Sequence, residues 1–186
     1  MIDRKMVPVL VSNTDKNSEI FQLFAEYWGL VKEFLNGKDG RRDKSYWDEL
    51  VSKTEEMSKK YDGQYKQFCI DLLVSLIVEM ERRDKKERQS IEDGLQIKQP
   101  IIDTGKDSKL FQFFSEYWRI IKSFLNGKNG HRENDYWDDI KKISDQITEK
   151  YDGDYEKELV MELMKELKRR EKKEVQMYIQ TKQCVA

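Results

Sequence analysis

The sequence has few of the residues that mark secreted, metal-binding or β-rich proteins. Its 186 residues include two cysteines, two prolines, nine glycines and a single histidine. Cys69 lies in an apolar run and Cys184 near the last residue, so no disulfide framework can be drawn, which suits a reducing cytosol. No Cys/His cluster has zinc spacing, and no Ser/His/Asp set can be assembled without His131. No excess charge of one sign exists. The net charge is −1, so nothing global drives the chain onto nucleic acid or an acidic membrane. The longest apolar run, Ile70 to Val78, is interrupted by Asp71 and Ser75, whereas a membrane span needs about 20 apolar residues. The stretch Met6 to Val11 is too short and too poorly flanked for a signal peptide. The expectation is a soluble cytoplasmic protein with no cofactor.

What is present is charge and aromatic side chains. Charged residues make up 38% of the chain and aromatics 11%, and with so few breakers this composition reads as helical rather than disordered.

The chain also repeats itself at an offset of 90 positions. Glu26-Tyr27-Trp28 falls on Glu116-Tyr117-Trp118, and Phe34-Leu35-Asn36-Gly37-Lys38 on Phe124-Leu125-Asn126-Gly127-Lys128. Tyr46-Trp47-Asp48 falls on Tyr136-Trp137-Asp138, and Tyr61-Asp62-Gly63 on Tyr151-Asp152-Gly153. From Ser18 to Gln67, 23 of 50 positions are identical without a gap. Beyond that the register slips by three, about one helical turn, and Arg82 to Glu87 aligns with Arg169 to Glu174. The period is too long for a solenoid and indicates a duplicated domain. The organisation expected is an extended segment 1–17, repeat one at 18–90, a linker at 91–107, repeat two at 108–180 and a tail at 181–186. Gln96 to Ile102 resembles Gln180 to Ala186, and Met6 to Leu10 is a third relative. Short extended lead-ins are expected there, because proline disfavours helix at the residue before it.

Apolar periodicity places three helices in each repeat, giving an all-α chain of two tandem three-helix units packed together. The first helix starts at a cap on Asn17 or Ser18, or on Asp107 or Ser108, and stops at Asn36-Gly37 or Asn126-Gly127. Its apolar arc is about twice the usual stripe, so it must touch two neighbours. The second begins at Ser45 with Asp48 as a capping-box partner. It buries Trp47, Leu50, Thr54, Met57 and Tyr61, or Trp137, Ile140, Ile143, Ile147 and Tyr151. The third is amphipathic in repeat two but apolar almost all round in repeat one, where Val74 and Val78 face away from the bundle. Ser75 and Val78 align with Glu162 and Lys165. Val74 and Val78 are therefore a candidate interface with the second unit or another molecule.

Internal repetition is the one sign of constraint at other positions. Gln22 and Glu26 recur as Gln112 and Glu116 on the polar side of the first helix and form a candidate binding surface. The loop set Lys38, Arg42 and Tyr46 recurs as Lys128, Arg132 and Tyr136, a mix that holds nucleic acid or closes a loop by cation–π contacts. His131 aligns with Arg41, so it is not a base or metal ligand shared by both copies. The acidic pairs Asp48-Glu49 and Asp138-Asp139 are what a helix start calls for. The runs Glu81 to Arg88 and Lys168 to Lys173 read as solvated helix ends.

With no catalytic constellation, the reading is a non-enzymatic protein-binding module: an adaptor, a scaffold or a stoichiometric inhibitor of the kind carried by mobile elements and phages. A protein is the expected partner, and a homo-oligomer is compatible with the apolar third helix. A nucleic-acid-associated protein using the two Lys/Arg loops is the alternative, and a metal-dependent enzyme built on carboxylates the outside one.

Overall fold

A computed structural model describes residues 4–36, 42–93, 102–127 and 132–185. All regular structure among them is helical: a short 3₁₀ turn at Arg4–Met6, then α1 (Glu19–Leu35), α2 (Lys44–Lys60), α3 (Lys66–Glu92), α4 (Lys109–Leu125), α5 (Asn134–Tyr151) and α6 (Asp154–Val185).

The first and fourth helices begin as the sequence predicts. The Ser18 hydroxyl accepts from the Phe21 amide at 3.3 Å, and the Ser108 hydroxyl from the Phe111 amide at 3.0 Å. The cap of α2 differs from expectation: Asp43, not Ser45, accepts from the Tyr46 amide. A carboxylate one position before the helix reaches the orphan amide directly, so no capping box is needed. Gly127 ends the α4 segment with φ +75°, the left-handed stop expected of Asn-Gly. At the end of α5 Asp152 itself takes the left-handed conformation, φ 44°.

The chain divides into two compact units, one of residues Gln22–Phe114 and one of Met1–Phe21 with Ser115–Ala186. The limits of these units fall within α1 and α4.

In the Gln22–Phe114 unit, α2 packs on α3. Leu23, Tyr27 and Val31 of α1, Leu50 and Met57 of α2, and Phe68, Leu72 and Leu76 of α3 are buried. Trp28 stacks on Phe111 and Phe114 at the start of α4, with ring centres 6.1 and 4.5 Å apart. In the other unit, α5 packs on α6. Phe21 meets Trp118 edge-on at 5.4 Å, and Tyr117, Ile121, Ile140, Ile147, Leu159 and Leu163 are buried. Both apolar sides of α1 and α4 are thus used, as their wide arcs required.

Three expectations need correction. Trp47 and Trp137, expected in the core, are half-buried, while their neighbour Tyr136 is buried at 5% exposure. Ser75 and Glu162, taken as outer-face positions, are buried. Residues 180–185, read as part of a short extended lead-in, are helical and belong to α6, which runs to Val185. In the lead-in resemblance Cys184 stands where the linker has Pro100, and cysteine keeps the amide that proline lacks.

Candidate binding site

Each unit holds a built cluster of charged and aromatic groups, at the start of α5 in one and of α2 in the other. In the Met1–Phe21/Ser115–Ala186 unit, Arg132 lies just before α5, its side chain 2% exposed. Its Nε and Nη2 each donate to the Glu174 carboxylate at 2.9 Å, a bidentate pair. Its Nη1 donates to the Tyr136 hydroxyl, and the guanidinium lies 5.1 Å from the centre of that ring. The Tyr136 hydroxyl donates to the Phe124 carbonyl at the end of α4. One turn back on α6, Arg170 bonds Glu166 at 2.9 Å and the Ser12 hydroxyl at 2.8 Å. Burial pushes the Tyr136 phenol up to about 12, with Glu174 adding and Arg132 opposing.

The Gln22–Phe114 unit repeats the plan in a wetter form. Arg42 pairs with Glu87, lies 5.9 Å from the Tyr46 ring centre, and leaves its side chain 8% exposed. The Tyr46 hydroxyl donates to the Phe34 carbonyl at 3.0 Å. Glu79, 5% exposed, takes both Arg82 and Arg83. Arg42 and Tyr46 are therefore brought together with α3, and Arg132 and Tyr136 with α6, and both guanidinium groups are turned inward. Lys38, Lys128 and His131 lie outside the described residues.

Glu26 and Glu116 are half-buried and paired. Glu26 meets Lys60, and Glu116 meets Lys150 at 2.5 Å. Each lysine also stands over a tyrosine, Tyr61 at 5.5 Å and Tyr151 at 5.1 Å. The repeated carboxylates thus tie the first helix to the second. Beside Glu116 a groove of about 240 Å³ runs between α4 and α5, lined by Ile120, Ile143, Ile147 and Lys150 among others. Gln22 and Gln112 are exposed; Gln112 donates to the Asp107 carbonyl at 3.3 Å.

Val74 and Val78 are 51% and 37% exposed, and Val51 on the adjoining α2 is 46% exposed. Met161, aligned with Val74 after the three-residue slip, is 53% exposed, so the apolar outer face is shared at that position and differs at Val78, which aligns with Lys165.

Sequence reasoning missed Ser12, Arg170 and Glu174, which are 4%, 7% and 2% exposed. The signal was available. Arg83 and Glu87 recur as Arg170 and Glu174 at a spacing of four, one face of a helix, in and just after runs read as solvated helix ends. Among the described residues no three His, Cys, Asp or Glu side chains are grouped to hold a metal, and no helix is long and apolar enough to cross a membrane. The chain matches no described protein family, no curated protein and no solved structure.

Proposed function

We propose that the chain is a tandem duplication of a three-helix unit that works as a non-enzymatic protein-binding module. Duplication is supported by contacts that recur 90 positions apart: Ser18 and Ser108 as caps, Glu26–Lys60 and Glu116–Lys150 as ties, Arg42 and Arg132 against the third helix. The observation that carries protein binding is the exposure of three aliphatic side chains, Val51, Val74 and Val78, on α2 and α3. Scattered apolar residues are ordinary, but three on adjoining helices are a cost in water that a partner surface removes.

Against the nucleic-acid alternative stands the engagement of Arg42 and Arg132 with Glu87 and Glu174, since a guanidinium already neutralised by a carboxylate releases no counterions from a phosphate chain. The experiment is affinity capture from native extract by the parent and by a Val74→Glu/Val78→Lys variant, with and without nuclease. A partner held by the parent, lost by the variant and indifferent to nuclease supports the reading. Nuclease-sensitive capture, or salt-dependent binding to purified DNA or RNA, replaces it with the alternative.

A further inference from the structure

Residues 4–14 open on the 3₁₀ turn Arg4–Met6, and from Val7 to Thr14 the chain is in no helix. They lie in a seat made by α6, the end of α4 and the turn after it. The Leu10 amide donates to Glu174 Oε1 at 2.8 Å, and the Ser12 amide donates to the Leu125 carbonyl at 2.8 Å. The Ser12 hydroxyl accepts from Arg170 Nη1 at 2.8 Å. Arg4 pairs with Glu171 at 2.7 Å. Val7, Ser12 and Thr14 are buried, and a side chain on Gly127 would strike Val11, 2.6 Å from its Cγ2. Two backbone amides, one hydroxyl and one aliphatic side chain are read at fixed positions, which is how a groove recognises an extended peptide.

All these partners lie more than 100 positions away along the chain. The segment joins α1 through residues 13–18, a local turn held by Asp15 to Asn13 and by Ser18 to Asp15. Unseating it breaks no helix. It takes the Leu10 amide from Glu174 and the Ser12 hydroxyl from Arg170, while Glu174 keeps Arg132 and Arg170 keeps Glu166. The only sequence whose fit to this seat is demonstrated is residues 4–14 themselves, and every copy of the chain carries one.

We infer that this seat is an interface for a second copy of the chain, which inserts its own residues 4–14 in place of the resident segment. The contacts are the same in either form, so the balance between closed and exchanged molecules is set by protein concentration against the effective concentration of the tethered segment. This does not depend on the exposed valines or on the function proposed above.

Two complementary full-length variants test it. Leu10→Pro/Ser12→Ala removes two of the segment's donors and acceptors but leaves the seat whole. Arg170→Met spoils the seat but leaves the segment whole. Each alone is expected to sediment as a monomer, and an equimolar mixture as a one-to-one heterodimer, because one intact segment and one intact seat are then present. A mixture that sediments as two monomers, both retaining their helical circular dichroism, overturns the inference. If either variant loses helix, the parent chain is titrated with a labelled peptide of residues 4–14. Saturable binding, with a Ser12→Ala peptide competing about tenfold less well, supports it, and no binding overturns it.

Discussion

At the scale of single residues, the decisive groups are buried ions and a buried phenol. Removing one partner of a buried pair leaves the other charged and unpaired, which costs ~3–5 kcal/mol. Arg132→Met should therefore lower the unfolding free energy by about that much in urea titrations, because Glu174 is 2% exposed. Arg42→Met should cost less, since Glu87 keeps 13% of its side chain in water and can be solvated. Tyr136 makes a pH prediction. Its pKa, raised by burial to about 12 from an ordinary value near 10, favours the protonated phenol in the folded state. Stability from this group is complete below pH 10 and is lost as pH rises to about 12, on the order of 2–3 kcal/mol. Tyr136→Phe should flatten that alkaline loss, measured as the melting temperature between pH 9 and 12. A variant as alkali-sensitive as the parent would place the loss elsewhere. The two thiols should differ as well. Cys184 is exposed, whereas Cys69 is buried and held up to about 12 by desolvation, with Glu26 adding. One thiol per chain should react with a disulfide reagent in buffer and two in denaturant.

At the scale of elements, caps and stops decide where helices end. Gly127 combines a left-handed φ of +75° with a close approach by Val11. Gly127→Ala should cost ~1–3 kcal/mol, from backbone strain plus a displaced Val11, read as a lower denaturant midpoint. The matching stop at Asp152 is already non-glycine, so Asp152→Gly should stabilise slightly or be neutral. The extension of α6 past Gln180 has exposed side chains from Thr181 to Cys184. Deleting 181–186 should change stability by less than about 0.5 kcal/mol, because the side-chain contacts there are local and exposed, Thr181 to the Met177 carbonyl and Lys182 over Tyr178.

At the scale of the whole molecule, exposed apolar surface is the property a partner would use. Val74→Glu/Val78→Lys should leave thermal stability within about 0.5 kcal/mol of the parent, since both valines already stand in water. Capture of a partner should fall with it. A large drop in the monomer's stability would instead show that the valines are packed in solution, and an unchanged capture would move the binding face elsewhere.

Much of this was legible in the chain itself. Periodicity placed the helices, and Ser18, Ser108 and the Asn126-Gly127 pair marked ends that local backbone chemistry dictates. The wide apolar arcs of α1 and α4 required two packed neighbours each, a demand written in the 100° step from residue to residue. Pairing across distance was not legible. Arg170 and Glu174 look like any charged helix end until Ser12 and Leu10, more than 150 positions earlier, close over them. Periodicity puts Trp137 in the core, yet Tyr136 is the buried one, its hydroxyl bonded to Arg132 and to the Phe124 carbonyl. Sequence determines what each segment can bury and where it must stop. Which charges leave water depends on what packs over them, and only the tertiary structure brings those groups together.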